Sequence, residues 1–175
     1  MSASTAASTA ILISAGFPMA QTVFGYSALT YVEIGGVESI GTIGASTGKV
    51  EFQPLKGPKQ KHKGSTDYGS LQPTIALDSD DAGQALLRTA AHPYNSALYA
   101  VQVVYPDGGK RFFQARVFGY PETIGNADAM LTAAPTIEIN TPVVKLGVGV
   151  PAGALTFSDG DPLQFSDGSY LELAA

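Results

Sequence analysis

The sequence contains no cysteine and only two histidines, and just 14% of its 175 residues are charged. Without cysteine the chain can form neither a disulfide framework nor a thiolate metal site, which suits an intracellular origin. The apolar run at positions 10–13 follows no cation and is too short for a secretory signal or a membrane span. We therefore expect neither a signal peptide nor a membrane association.

The scarcity of imidazole also argues against catalysis. His62 lies in a lysine-rich segment, where a general-base partner is hard to supply, and His92 lies at the end of a predicted helix, next to Pro93. Enzymes need a nucleophile with a base and an orienting group, or a metal, and none of the usual motifs is present. The Asp-Gly turns near the C-terminus lack the ligand spacing of a calcium loop. We expect no catalytic residue, no metal site, no cofactor and no enzyme activity.

Glycine and proline are abundant, with 20 and 11 residues, while 45% of the chain is hydrophobic. This composition is typical of a folded domain with many turns. Alternation of apolar and polar residues predicts a hairpin from strands 98–105 and 110–118, joined by Pro106-Asp107-Gly108-Gly109. Further strands are predicted at 28–34, 49–55 (with Val50 and Phe52 on one face), 69–78 and 130–140.

One helix is predicted over residues 80–92. Ser79 is the candidate N-cap, acidic side chains occupy the first turn, and Pro93 ends the helix. Ala82, Leu86 and Ala90 form a narrow apolar stripe that would pack against a sheet. The predicted fold class is mainly β: an antiparallel β-sandwich or barrel with one flanking α-helix and extended N- and C-terminal arms.

Residues 56–66 are predicted to form a long exposed loop, because they include four lysines and no apolar face. Such a loop could bind phosphate, act as a solvated linker, or contact an acidic patch on another subunit. The segment has no phenylalanine, tyrosine or tryptophan on which bases could stack, so binding to nucleic acid is less favoured than the other roles. The net charge of −5, with the acid excess beyond residue 116, supplies a complement to the lysines within the same protein.

The sequence divides into three parts. Residues 1–27 are interpreted as an N-terminal arm with little periodicity, residues 28–142 as the β domain, and residues 143–175 as a C-terminal extension. The extension repeats Phe-Ser-Asp-Gly at eight-residue spacing, which indicates two turns between short apolar pairs. We expect this extension to dock, through Phe157, Phe165 and Leu171, on its own domain or on a neighbouring copy.

Four motifs in order resemble the tail tube (major tail) proteins of long-tailed phages. They are Asp67-Tyr68-Gly69, Ile75-Ala76-Leu77-Asp78, the helix sequence Asp80-Asp81-Ala82-Gly83-Gln84-Ala85-Leu86-Leu87-Arg88, and Val103-Val104-Tyr105-Pro106-Asp107-Gly108-Gly109. Each motif is common alone, and their order is what makes the resemblance specific. The likeness covers residues 28–142 and is strongest over 64–119.

The resemblance implies a subunit of hexameric rings that stack into a hollow tube for DNA ejection. Its lysine-rich loop would contact the next ring through Lys56, Lys59, Lys61, His62, Lys63, Asp67 and Tyr68. Glu138 and Asn140 are candidates to face the lumen, where double-stranded DNA would pass without specific binding. The implied partners are further copies, a tape-measure protein and tail-end proteins, in a virion tail assembled in the host cytoplasm.

Two other classes remain open from the sequence. One is a β-rich binding module for adhesion or for decoration of a virion, which the Ser/Thr-rich N-terminus and the repeated turns would suit. The other is a tube subunit of a secretion needle, which shares the same physical logic of strands closed into a multi-chain barrel.

Overall fold

The computed structural model describes residues 5–148, which form two short helices and thirteen strands. The helices are α1 (Val23–Ser27) and α2 (Ala82–Ala90). The strands are β1 (Ala10–Ser14), β2 (Val32–Glu33), β3 (Val37–Ser39), β4 (Ser46–Phe52), β5 (Gln60–Asp67), β6 (Ser70–Leu71), β7 (Thr74–Ala76), β8 (Tyr99–Val104), β9 (Lys110–Gly119), β10 (Glu122–Thr123), β11 (Thr132–Ala133), β12 (Thr136–Ile139) and β13 (Val144–Leu146). Neither helix is long and apolar enough to cross a membrane, among the residues described.

The strands form two main sheets and one separate pair. The larger sheet has the order β2-β1-β8-β9-β12-β6, with β13 also paired to β9, and the smaller has the order β10-β11-β7-β3. Strands β4 and β5 pair with each other alone. Side chains of both main sheets meet in one core, so the predicted class of mainly antiparallel β-sandwich is confirmed, without a closed barrel in residues 5–148.

The core follows the two-residue period of the strands. Ile11 and Ile13 of β1 lie opposite Val103 and Val101 of β8, and Val101 lies opposite Phe113 of β9. All five side chains are buried. Burying a large aliphatic or aromatic side chain contributes about 1.5–3 kcal/mol, so this row of paired strands contributes substantially to the domain's stability.

The predicted hairpin of β8 and β9 is confirmed, and its turn uses the residues that the sequence pattern requires. Gly108 has a φ of 87°, a conformation that glycine adopts without strain. The amide of Gly108 donates to the Tyr105 carbonyl at 2.9 Å. The Asp107 carboxylate accepts from the Gly109 amide, also at 2.9 Å. The turn therefore fixes the register of the two longest core strands.

Helix α2 begins two residues later than predicted, and its N-cap is Asp81 instead of Ser79. The Asp81 carboxylate accepts from the Gln84 amide at 2.6 Å and from the Gly35 amide at 3.1 Å. The second bond ties the start of the helix to the chain that leaves β2. Aspartate is favoured at the N-cap because its two carboxylate oxygens can accept from both amides.

The packing face of α2 is rotated from the predicted stripe. Ala90 is buried and Leu86 is half-buried, but Ala82 is exposed. The buried face instead contains Gly83 and Leu87, and a β-carbon added to Gly83 would collide with the Glu33 carbonyl oxygen. The helix is therefore held by this close backbone approach together with the burial of Leu87 and Ala90 in the core.

The interpretation of residues 1–27 as an arm outside the β domain needs correction. Strand β1 lies inside the larger sheet, between β2 and β8, and α1 follows it, with Tyr26 stacked on Phe112 at 5.6 Å between ring centroids. A five-residue strand spans too few periods to be recognised against a Ser/Thr/Ala-rich background.

The boundary at residue 142 also needs correction. Strand β13 pairs with the first residues of β9, and Leu146 is buried, so the β domain continues at least to residue 146. The predicted contacts of Phe157, Phe165 and Leu171 lie outside the described residues.

Two predicted strands are each divided at a proline. The segment 69–78 becomes β6 in the larger sheet and β7 in the smaller, with Pro73 between them. Likewise, the segment 130–140 becomes β11 and β12, separated by Pro135. Proline cannot donate to a strand ladder, so the chain crosses from one sheet to the other at these two positions and joins the sandwich halves.

Candidate assembly surface

The separate β4–β5 hairpin projects into solvent. Every residue of both strands is exposed, and the two strands are paired from Ser46–Asp67 at the root to Phe52–Gln60 near the tip. The predicted loop over residues 56–66 is therefore wrong for residues 60–66, which form most of β5. The sequence pattern missed this strand because a hairpin exposed on both faces needs no apolar alternation.

The two faces of the hairpin have different chemistry. Val50 lies opposite His62, and Phe52 lies opposite Gln60. Val50 and Phe52 are 54% and 57% exposed, so a large part of the apolar area of this face is in solvent. Leu55, in the turn that follows, is fully exposed.

The opposite face carries the charges. Lys49 lies across from Lys63, and Glu51 across from Lys61. Glu51 also forms ion pairs with Lys49 and with Lys59, the latter at 2.6 Å. These ammonium groups, Lys49 first and then Lys59, lower the pKa of the Glu51 carboxyl. Lys56, Lys61 and Lys63 form no ion pair on the hairpin. The second carboxylate of the hairpin, Asp67, lies at its root.

The charge of the hairpin is opposite in sign to that of the rest of the chain. Residues 46–67 contain five lysines and two carboxylates, a net charge of +3, whereas the whole chain has a net charge of −5. The remaining residues therefore carry −8, of which −4 lies in the described residues outside the hairpin, with nine acids and five bases. A positive projection on an acidic body favours ordered contact between copies, because complementary potentials select orientation.

The residues predicted for contact with a neighbouring ring are divided between two places. Lys56 and Lys59 lie in or beside the turn, Lys61 and Lys63 on the charged face, and His62 on the apolar face. Asp67 and Tyr68 lie at the root instead. There the Asp67 carboxylate accepts from the Gly69 amide at 2.9 Å, and Tyr68 packs against the domain core.

The sequence pattern does not predict the apolar contribution of Val50, Phe52 and Leu55 to this surface. The alternation predicts Val50 and Phe52 on one face, which the register confirms, but not that this face lies in solvent. The available signal is the lysine-rich turn that follows β4 and the polar sequence of its partner strand, because such a hairpin offers no second apolar layer for Val50 and Phe52 to pack against.

The hairpin has little internal stabilisation. A two-stranded hairpin alone is marginally stable in water at best, and like charges directly opposite each other, as at Lys49 and Lys63, destabilise the pair. A hydrogen bond between the Thr47 and Thr66 hydroxyls, at 3.2 Å, lies near the root. Such a projection gains stability when another surface covers its apolar face and its strand edges.

The candidate lumen residues lie away from the hairpin. Glu138 is half-buried on β12, opposite Arg116 of β9 and Ser70 of β6. Asn140 is exposed, and its amide, oriented to satisfy both neighbours, accepts from the Arg116 guanidinium at 3.0 Å. Ile137 and Ile139 point into the core from the same strand, so Glu138 belongs to the sheet face that lies opposite the sandwich core.

Other chemistry is sparse in residues 5–148. No group of three or more histidine or acidic side chains there is placed to hold a metal ion. His92 packs against the Tyr94 ring, and its Nδ1 accepts from the Tyr94 amide at 3.4 Å.

The fold is similar to those of several solved structures. One is a chain from the anti-feeding prophage baseplate, in a six-fold symmetrised cryo-EM structure, with a TM-score of 0.65, 8% identity, and coverage of 86% of this chain and 99% of that one. Another, from the sheath/tube terminator of an extracellular contractile injection system (PVC) in its extended state, has a TM-score of 0.63 and 8% identity, covering 84% and 99%. The SPP1 tail tube subunit has a TM-score of 0.52 and 17% identity, covering 93% and 95%.

No protein-family model matches the sequence, and no curated protein matches it. The likeness is therefore one of fold, and it extends over most of the described chain. The class of fold is that of tube and baseplate subunits of phage tails and contractile injection systems. The resemblance to tail tube proteins indicated by the sequence is confirmed at this level.

Proposed function

We propose that the chain is a structural subunit of a phage tail tube, which assembles as hexameric rings that stack into a hollow conduit for DNA. The observation that carries this proposal is the β4–β5 hairpin. It projects from the sandwich, exposes Val50, Phe52 and Leu55, and its two strands contribute no buried residue to the core. In a protein with a tube-subunit fold, such an element serves contact between copies.

The charge distribution supports this role. Stacking copies head to tail brings the positive hairpin of one subunit near the acidic body of another, and contacts of this heterologous kind generate open filaments. An acidic bore would repel DNA phosphates, so the duplex would slide through without specific binding. The hairpin lysines would be occupied by protein carboxylates.

Glu138 and Asn140 remain the proposed lumen residues. Reversing the charge at Glu138, by Glu138→Lys, would place two cations beside DNA, because Arg116 is already opposite. We expect DNA release from virions to be slower in this variant, and release at an unchanged rate would contradict the assignment. Exposed Asp128→Lys, on the loop before β11, is a charge-matched control.

The proposed partners follow from the same role. Further copies would form the tube, a tape-measure protein would occupy its bore during assembly in the host cytoplasm, and tail-end proteins would close it in the virion. These assignments rest on the resemblance to tail tubes.

Negative-stain electron microscopy of the purified protein tests the proposal. We expect stacked annuli or tubes. They should form most readily at low salt, because the contacts between charged groups are screened as ionic strength rises. Dispersed small particles at every concentration and salt would contradict the proposal and would favour the adhesion or decoration module.

A second candidate is a ring at the end of a tube. The baseplate and sheath/tube terminator chains have TM-scores of 0.65 and 0.63, above the 0.52 of the tail tube subunit. This order favours an end component of a contractile injection system as the alternative. Single closed rings that never stack into longer tubes would support it over the tube subunit.

A further inference from the structure

A groove runs beside the root of the hairpin, at the open seam between the two main sheets. It has a volume of about 690 Å³. One wall is the edge strand β3 with the residues that follow it to Ile43, and the other is the β8–β9 turn with residues 5–9. Strand β3 pairs with β7 on one side, so its other edge borders this groove.

The lining combines half-buried apolar side chains with acids. Val37, Ile40, Ile43 and Tyr105 supply the apolar area. Glu38 and Asp107 are the charged residues of the lining, so the groove is negative at neutral pH. A partner that fits it must be apolar, positively charged and extended.

The tip of the β4–β5 hairpin has these three properties. Val50, Phe52 and Leu55 supply exposed apolar side chains. Lys56 follows Leu55 in the turn and supplies a positive charge at the tip, while the other hairpin lysines lie on the opposite face or pair with Glu51. A single hairpin therefore matches the groove in both apolar character and charge.

The hairpin cannot reach the groove of its own subunit. Its root begins at Ser46, three residues after Ile43, which lines the groove. At about 3.3 Å per residue, the strand carries Phe52 about 20 Å away from that root. The exposure of every residue of β4 and β5 shows that the hairpin does not fold back.

We propose that the groove between β3 and the β8–β9 turn receives the hairpin tip of a second copy of this chain. The apolar face at Val50 and Phe52 enters between Ile40 and Tyr105, while Lys56 in the turn approaches the groove carboxylates Glu38 and Asp107. Each copy then carries one tip and one groove, so the contact is heterologous and repeats from copy to copy. Its place in a tube rests on the proposed function, but the contact itself does not require one.

Cysteine crosslinking tests this contact, since the natural chain contains no cysteine. Leu55→Cys places a thiol at the exposed tip, and Ile40→Cys places one in the groove. A short bismaleimide crosslinker added to the double variant should give a ladder of covalent dimers and higher oligomers on a denaturing gel. Ladder intensity should fall when Glu38→Lys is added, because this reverses one of the two groove charges.

The matched control pairs Leu55→Cys with Ala97→Cys. Ala97 is exposed and lies before β8, at the opposite end of that strand from the Tyr105–Asp107 turn. This pair, and Leu55→Cys alone, should give no ladder. A ladder of equal strength with Ala97→Cys would overturn the proposal, because the tip would then contact surfaces without selection.

Microscopy of the same samples separates this proposal from the proposed function. Tubes without a Leu55–Ile40 ladder would overturn the groove while leaving the tube subunit in place. A ladder without tubes or stacked rings would support the groove and contradict the tube. Neither a ladder nor tubes would overturn both.

Discussion

The chain contains two long antiparallel hairpins that have nearly the same length and opposite environments. In the β8–β9 hairpin, Val101 and Phe113 face each other with at most 1% exposure. In the β4–β5 hairpin, Phe52 lies opposite Gln60 with more than half of its surface in solvent. Strand pairing gives both hairpins the same kind of backbone geometry. The burial of their side chains is what distinguishes their roles. The first hairpin holds the domain together, and the second is available to another molecule.

Removing the exposed hairpin is the largest test of this contrast. In a variant with residues 47–66 replaced by Asn-Gly, Ser46 and Asp67 would be joined by a two-residue turn. We expect complete loss of tubes in electron microscopy, with an unchanged melting temperature of the dispersed protein, because no core residue is removed. Tubes of normal length from this variant would refute the role of the hairpin.

Two phenylalanines sharpen the same comparison. Phe113→Ala should lower the free energy of unfolding by about 3–5 kcal/mol, the usual cost of emptying a buried aromatic site. Phe52→Ala should change it by less than about 0.5 kcal/mol, as for other exposed sites. Urea unfolding of the dispersed protein measures both. Phe52→Ala should also weaken assembly, and equal losses of stability in the two variants would contradict the division of roles.

Two glutamines extend the comparison to hydrogen bonds. The buried Gln84 side chain donates to the carbonyls of Gly35 and Ala76, at 3.0 and 2.8 Å, and accepts from the Asp78 amide at 3.0 Å. Gln84→Ala leaves these groups without their partner, so we expect a loss of about 1–3 kcal/mol in urea unfolding.

The exposed Gln53 is the control. Its amide donates to the Pro54 and Gly57 carbonyls in the hairpin turn, where water can replace it. Gln53→Ala should therefore leave the unfolding free energy within about 0.5 kcal/mol. A cost as large as that of Gln84→Ala would show that the hairpin is part of the folding unit.

The smallest expected effect is a pH dependence confined to the sandwich. Burial raises the pKa of Tyr31 well above its ordinary value, and the neighbouring Tyr26 adds to the shift; burial also raises the pKa of Tyr26. A raised folded-state pKa gives stability that is present below the unfolded value of about 10 and is lost as pH rises through the folded value.

Thermal unfolding between pH 8 and pH 11.5 would measure this loss. Tyr31→Phe should flatten the decline above about pH 10, and at pH 7 it should cost little, since the Tyr31 hydroxyl has no hydrogen-bond partner among the described residues. The hairpin deletion should keep the wild-type profile, because residues 46–67 contain no tyrosine. An unchanged slope in Tyr31→Phe would contradict the assignment of the decline to this group.

The sequence predicted the buried hairpin well and the exposed one poorly, for one physical reason. A strand that faces a core repeats apolar residues every second position, as at Tyr99, Val101 and Val103, and ends in a recognisable turn. Strand β5 faces solvent on both sides, so nothing in Gln60–Asp67 distinguishes it from a loop. Strand β1 is not predicted because its five residues span too few repeats of the two-residue strand period to be recognised.

The sequence predicts the charged residues of the candidate site but not the strand pairing and exposure that give the site its shape. The clustered lysines predict an exposed segment with three possible roles, and the resemblance to tail tube proteins implies contact with a neighbouring ring. The exposed apolar face at Val50 and Phe52 becomes visible only when register and exposure are known. The groove could not be predicted at all. Its two walls, β3 and the β8–β9 turn, are more than 60 positions apart, and sequence periodicity says nothing about which loops meet at a seam.

Amide hydrogen exchange of the hairpin in dispersed and assembled protein tests the central claim most directly. In dispersed protein, the amides of residues 46–67 should exchange rapidly while those of β8 and β9 stay protected, because exposed strands open at low cost. On assembly, protection should rise selectively in residues 46–67 and at the groove wall, residues 37–43. Equal and unchanged exchange of the hairpin in both states would contradict the claim that it joins one copy to the next.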